Sequence, residues 1–288
     1  MTRIAIISPM HNEATNVVAL SESLARQSFQ DFDWFAVDDG SQDDTLSILQ
    51  QLEGPCRPTI LTKKNDGGLQ GGSAFSSWRR GVEAALDAGT DYTHFMKLDA
   101  DVRLSDSYLS VALSLFEDPS VGLAGGIITS QGMVEQAFHV AGPVKIYSRE
   151  ALDIVLELPI SIGFDIMDEI LLSKHGYLTK VSKAATFELA RETGSSEGQI
   201  HGRVRHGRGC RWTGYSFPYF VARCLRYFLR RPFLVGPFAM FWGYCTAGKG
   251  PYDEDLRRMH AAMQRRKLRR MFANPVQFYR DAYSTRSN

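Results

Sequence analysis

Apolar runs of strand length alternate with helical segments through the first hundred residues, and each run ends in a polar turn. Ile4 to Ser8 predicts a buried strand, Pro9 to Thr15 a turn, and Val17 to Gln27 a helix for which Thr15 or Asn16 is the cap. The pattern repeats. A second strand at Trp34 to Val37 leads through Asp38-Asp39-Gly40-Ser41 into a helix opened by Asp43 or Asp44, and a third strand covers Thr59 to Thr62. A glycine-rich stretch from Asp66 to Gly72 then precedes a helix from Ser73 to Ala88, and a fourth strand from Tyr92 to Leu98 runs into Asp99-Ala100-Asp101. Strands joined by helices imply right-handed crossovers and a mainly parallel, Rossmann-like α/β sheet. Further helices are expected over Asp106 to Phe116, Arg149 to Leu156 and Asp165 to Lys174, and strands over Val121 to Ile128, Val144 to Tyr147 and Tyr177 to Val181. Gly176 is the natural residue to end the last of these helices.

In open parallel sheets ligands bind beyond the carboxyl ends of the strands. Three polar clusters fall there: His11-Asn12-Glu13, Asp38-Asp39 and Asp99-Ala100-Asp101. Two carboxylates one residue apart can both reach a hard divalent cation, which prefers oxygen ligands. Such an ion, Mg2+ or Mn2+, would neutralise a leaving diphosphate. Asp-Ala-Asp alone is equally a polar turn, and Asp38-Asp39-Gly40-Ser41 is equally a tight turn with a helix cap; the coincidence of all three at strand ends favours a shared cleft. A carboxylate at the mouth of a sheet also suits a nucleobase N–H or a ribose hydroxyl. The glycine-rich stretch lacks the Lys-Ser/Thr of a P-loop and the spacing of a dinucleotide fold, which excludes an ATPase or a dehydrogenase. Lys63 and Lys64 beside it read as solvated surface lysines, with phosphate contact as the alternative.

These stretches resemble the family-2 inverting glycosyltransferases with a GT-A fold, of the bacterial, non-processive type. The resemblance is carried by Ser8-Pro9-Met10-His11-Asn12-Glu13, by Val37-Asp38-Asp39-Gly40-Ser41 with Asp44-Thr45, and by Leu98-Asp99-Ala100-Asp101. His139-Val140 through Gly142 to Lys145-Ile146-Tyr147, and Gly163-Phe164-Asp165-Ile166-Met167-Asp168-Glu169 with Gly176-Tyr177, extend it to about residue 180. It implies transfer of one sugar from a nucleotide-diphosphate sugar to an acceptor hydroxyl of a glycan or lipid-linked substrate. The donor set it implies is Pro9, His11, Asn12, Glu13, Asp38, Asp39, Gly72, Asp99, Ala100 and Asp101, with Asp39 at the nucleobase and Asp99 and Asp101 on a divalent metal. Asp165 is the implied general base, with Asp168 as the alternative. Two departures stand out. Ser77-Trp78-Arg79-Arg80-Gly81 replaces the family's frequent Ala-Arg-Asn, and the Gln-x-x-Arg-Trp of processive synthases is missing. A sugar nucleotidyltransferase or a non-catalytic module of the same fold are the rival readings; the former is opposed by the first strand's ending in Pro9-Met10-His11-Asn12-Glu13.

Net charge is +1, but it is segregated. Lys and Arg number 15 against 28 Asp and Glu in residues 1–200, and 18 against 4 in residues 201–288. We therefore expect a transferase domain over 1–200 and a basic, aromatic-rich helical extension over 201–288 that faces something anionic. Glycines and arginines from Arg191 to Trp212 suggest a mobile basic loop that closes on phosphate. From Tyr215 to Tyr244 aromatics are dense among arginines, as in an interfacial helix, and the charge-free Pro232 to Ala247 is too broken to span a bilayer. Peripheral attachment to an anionic leaflet, at the inner face of the cell membrane, is the expectation; packing on the catalytic domain or a dimer interface is the alternative. The last helix, Asp253 to Met271, is basic without any nucleic-acid motif, so lipid ranks ahead of nucleic acid. The four cysteines show no metal spacing, and the first residues enter a strand without an apolar leader, which points to free thiols and the cytoplasm.

Overall fold

The structure, a computed structural model, describes residues 1–64, 73–129, 139–190, 199–228 and 235–278. Two compact units divide them: residues 1–160 with Leu172–Ala190, and Ser161–Leu171 with the described residues from 199 onward.

The first unit is built on an eight-stranded sheet. Its elements run β1 (Ile4–Met10), α1 (Val17–Ala25), β2 (Phe32–Asp38), α2 (Thr45–Gln51), β3 (Thr59–Thr62), α3 (Ser73–Asp87), β4 (His94–Leu98), β5 (Val102–Leu104), α4 (Tyr108–Ser114), β6 (Val121–Ile128), β7 (Val144–Ser148), α5 (Arg149–Val155), the end of α6 (Phe164–Lys174) from Leu172 on, and β8 (Leu178–Leu189). The strand order is β3-β2-β1-β4-β7-β6-β8-β5. β1 pairs in parallel with β2 and β4, β2 with β3, and β6 with β8, whereas β7 runs against β4 and β6, and β5 against β8. Both faces of the central strands are covered, so they read as continuous apolar runs. Ile4, Ile6, Trp34, Ala36, Met96 and Leu98 meet α1 and α4 on one face. On the other, Gly81 of α3 sits against Ile7 and Val37, and Trp78 lies 5.5 Å from the Tyr147 ring. Every predicted strand and helix of this unit is present, most with ends shifted by one or two residues. β5 was not foreseen, and β8 runs eight residues beyond the predicted Val181.

Cap chemistry differs from expectation in a way that concerns the site. Asn16 occupies the cap position of α1 without bonding the helix; its side chain instead donates to Glu13 Oε2 at 2.8 Å and accepts from Arg103 at 3.1 Å. Asp43 accepts from Thr45 N, Thr45 Oγ1 and Ala14 N, tying the β2–α2 turn to the β1–α1 turn.

The second unit holds α7 (Gln199–Trp212), α8 (Phe217–Tyr227), α9 (Val235–Thr246) and α10 (Glu254–Ala273), with the first turns of α6. Residues 199–212, expected to lie in a mobile loop, are helical; residues 191–198 lie outside the described set. The glycines explain the misreading. A Cβ on Gly207 would come within 1.8 Å of the Met240 carbonyl oxygen, and one on Gly243 within 2.0 Å of the Val204 carbonyl oxygen. Each helix thus presents a glycine to the other's backbone, and close approach outweighs the helix-propensity cost of about 1 kcal/mol per glycine. α10 begins at the Asp253 cap, which accepts from Asp255 N at 2.8 Å. Among the described residues no helix is long and apolar enough to cross a membrane.

Two predictions follow from packing and burial. Gly207→Ala should lower stability by about 1–3 kcal/mol, because overpacking against backbone exceeds the propensity gain; an unchanged or higher chemical-denaturation midpoint would refute the close-approach account. His94 packs edge-on to Phe116 at 4.5 Å, and burial pushes its imidazole down to about 4 from the ordinary 6.5. The unfolded chain therefore binds the proton first, so stability is lost as pH falls from 6.5 toward 4. The pH slope of the denaturation midpoint in that window should flatten in His94→Gln, and an identical slope would count against it.

Candidate active site

The site is built from three turns that parallel pairing releases at one edge of the sheet. β1 ends at Met10, β2 at Asp38 and β4 at Leu98, with Pro9 paired to Val37 and Met10 to Asp38. His11 and Asn12 are exposed, and Glu13 is buried. Asn12 takes a positive φ of 56°, a conformation Asn tolerates because its short side chain can bond locally. Here its Oδ1 accepts from Gln42 N at 2.8 Å while its own N–H donates to Ser41 Oγ at 3.0 Å. His11 Nδ1 donates to the Asp39 carbonyl at 2.9 Å, Asp39 N–H donates to the Met10 carbonyl at 2.8 Å, and Glu13 N–H donates to Thr45 Oγ1 at 2.7 Å. The first and second clusters therefore form one interlocked double turn.

Asp38 and Asp39 are both almost fully buried. Asp38 accepts from Ser41 N–H, a local turn bond, at 3.3 Å. Asp39 points its carboxylate elsewhere: Lys63 Nζ donates to Oδ1 at 3.2 Å and the Ser73 hydroxyl, at the start of α3, donates to Oδ2. Lys63 is thus a partner of the carboxylate that the sequence singles out, not a solvated surface lysine; its side chain is 18% exposed. Gly72 lies outside the described residues.

The third cluster turns sharply. Val102 N–H donates to the Asp99 carbonyl, and Asp99 N–H donates to the Pro143 carbonyl, while Ala100 is buried between the two half-exposed carboxylates. Asp99 forms an ion pair with Lys97, whose ammonium is nearly enclosed and also donates to the Gly142 carbonyl at 2.9 Å. Residues two apart on a strand share a face, so an apolar strand carrying one Lys two positions before its terminal Asp is the signal that could have revealed this pair. Arg103 joins the third cluster to the first: it donates to the Ala100 and Val102 carbonyls and to Asn16 Oδ1. Burial pulls the Arg103 pKa down, against the opposing charges of Asp101 and Glu13.

Asp165 and Asp168 belong to the other unit. Asp165 sits in the first turn of α6, half-buried, and its charge, after burial itself, helps push up the hydroxyl pKa of Tyr215 and Tyr252. Asp168 is fully enclosed, with Oδ1 accepting from Glu169 N–H at 2.7 Å. Tyr252 donates to the Ile162 carbonyl at 2.9 Å, which pins the turn leading into α6.

Carboxylates and hydroxyl acceptors at strand ends, steadied by lysines, can bind a polar ligand of high charge density. Known proteins bear on this. Among curated proteins none matches the sequence. Among solved structures the chain is similar to the mannosyltransferase PcManGT from Pyrobaculum calidifontis, solved in complex with GDP-Man and Mn2+, at 17% identity and TM-score 0.57 over 96% of this chain and 82% of that one. It is also similar to residues 1–349 of S. aureus TarS in complex with UDP-GlcNAc, at 14% identity and TM-score 0.57 over 94% and 92% of the two chains. The same TarS fragment with UDP gives 13% identity and TM-score 0.55 over 94% and 91%. At these identities the likeness speaks to the fold, a GT-A, Rossmann-like sheet with helices after it. The sequence itself carries the rest: the model of glycosyl transferase family 2 matches residues 5–170, more than half of the protein and all three strand-end clusters, so the chain belongs to that family.

Proposed function

We propose that the protein is an inverting glycosyltransferase that moves one sugar from a nucleotide-diphosphate sugar to an acceptor hydroxyl, in the synthesis of a cell-surface polysaccharide, glycan or glycolipid. The observation that carries the reading is the buried Asp39 carboxylate, held by Lys63 and Ser73 at the end of β2 beside the interlocked β1 turn. A carboxylate fixed in this way is preorganised to accept from a nucleobase N–H or a ribose hydroxyl. Pro9, His11, Asn12, Glu13 and Asp38 shape the wall around it.

Asp99 and Asp101 would hold the divalent ion. Their oxygens suit Mg2+ or Mn2+, and the Asp99 side chain keeps 34% of its surface exposed. Among the described residues no group of three or more His, Cys, Asp or Glu side chains could hold a metal. Two carboxylates alone fit an ion that takes its remaining ligands from diphosphate and water, which is the usual habit of Mg2+. When bound, such an ion supplies charge neutralisation at the departing diphosphate. PcManGT and TarS, with GDP-Man and UDP-GlcNAc, are precedents for donors of this class.

Asp165 takes the acceptor proton in this reading: the acceptor oxygen bonds the anomeric carbon as the bond to the diphosphate oxygen breaks, and the hydroxyl proton passes to the Asp165 carboxylate. Its partial exposure favours it over Asp168, which is sealed and bonded within its own helix.

A melting panel of GDP- and UDP-sugars with and without Mn2+ tests donor binding. One donor should raise the midpoint only with metal, by about 2.7 kcal/mol of stabilisation at a hundred times its Kd, and Asp99→Asn or Asp101→Asn should remove that rise. A panel in which no nucleotide-sugar moves the midpoint would sink the reading. For the base, Asp165→Asn should keep donor binding and lose roughly 10²–10⁴-fold in turnover, whereas Asp168→Asn should lower stability first. Wild-type turnover in Asp165→Asn would remove it from the mechanism.

A further inference from the structure

α9 carries no charged residue from Val235 to Thr246, yet it is only partly enclosed by the described residues, with Phe241 stacked on Phe220 and Phe238 edge-on to Phe228 of the α8 segment. Gly236, Pro237, Met240, Gly243 and Tyr244 are buried, and the reciprocal glycine contacts with α7 fix the helix about its axis. The opposite side leaves Phe238 65%, Phe241 42% and Trp242 67% exposed. These positions, i, i+3 and i+4, form a single stripe. A helix that is apolar all round is ordinarily enclosed, and large aromatics exposed together mark a surface that meets something.

Charge selects the occupant. Residues 201–288 carry 18 Lys and Arg against 4 Asp and Glu, and Arg265, Arg266, Arg269 and Arg270 of α10 are all exposed. A second copy would bring the same excess positive charge against itself. Aromatic side chains on one helix in a unit rich in exposed arginine are the composition of an interfacial, membrane-surface element. Twelve residues span about 18 Å, short of a hydrocarbon core of about 30 Å, so the helix lies along the interface and does not cross it.

We propose that the Phe238–Phe241–Trp242 face of α9 seats the second unit in the headgroup region of an anionic bilayer, with exposed arginines of the same unit drawn to the lipid phosphates. The inference stands apart from sugar transfer: Asp39, Asp99 and Asp101 belong to the first unit, so donor binding is read by a separate measurement.

Flotation of the full-length protein with vesicles of phosphatidylcholine, with and without phosphatidylglycerol, tests it. Recovery is expected only with the anionic vesicles, and Phe238→Ser with Trp242→Ser should cut partitioning at least roughly tenfold, the effect of losing one buried aromatic. Both positions are exposed, and a cooperative thermal transition with helical circular dichroism like the wild type's confirms that the double variant is folded. In the wild type, Trp emission should shift to the blue on anionic vesicles, and Trp242→Phe should bind without most of that shift, because Trp34 and Trp78 are buried already and Trp212 is partly buried, which leaves Trp242 as the most exposed of the four. No recovery, equal recovery on neutral vesicles, or unchanged partitioning of the double variant would each overturn the proposal. So would a dimer, in the absence of vesicles, that the double variant converts to monomer.

Discussion

Parallel pairing of β1 with β2 on one side and β4 on the other is the constraint on which the first unit's chemistry depends. Strands running the same way release their carboxyl ends at one edge, and the turns that follow have no ladder partners for their backbone groups. The protein satisfies these groups by cross-bonding the turns: Asp39 N–H to Met10, His11 to the Asp39 carbonyl, Asn12 to Ser41 and Gln42, Glu13 to Thr45. A positive φ at Asn12 is the local consequence, held by bonds on both its side chain and its N–H. Because each bond joins residues about thirty positions apart, the loop conformation exists only when β1 and β2 are in register.

The second consequence is electrostatic. Collecting acidic residues at one edge and burying Asp39 and Glu13 there is costly unless each charge is compensated. Lys63 answers Asp39, Lys97 answers Asp99, and the Arg103 guanidinium is within range of the Asp101 and Glu13 charges. Neither lysine pair is a surface ion pair in the ordinary sense, since Lys97 is nearly sealed and Lys63 is mostly covered. Lys97 in particular fixes one Asp99 oxygen while the carboxylate stays partly exposed.

Much of this was legible in the sequence, because the strand–helix alternation and the strand-end acids are local patterns that burial on both sheet faces makes conspicuous. What escaped notice was non-local. Lys63 reads as a surface lysine until β2 and β3 are paired, whereupon its side chain falls beside Asp39. Val102–Leu104 is too short to carry a periodic signal and is a strand only through its pairing with β8. Thr15 and Asn16 look like helix caps, but Asn16 is diverted to Glu13 and Arg103, one of them far away in sequence.

α7 exposes the same limit from the opposite direction. Glycine and arginine in alternation argue for a loop by propensity, and each glycine in a helix interior does cost stability. The decisive fact is the partner helix α9: its Met240 carbonyl leaves no space for a side chain at Gly207, just as the Val204 carbonyl of α7 leaves none at Gly243. Propensity describes an isolated segment, whereas this segment is never isolated in the fold. The same packing then accounts for α9's exposed stripe: with glycine contacts fixing which side faces α7, rotation cannot hide Phe238 and Trp242, and their exposure is imposed by the interior of the unit and not by chance at its surface.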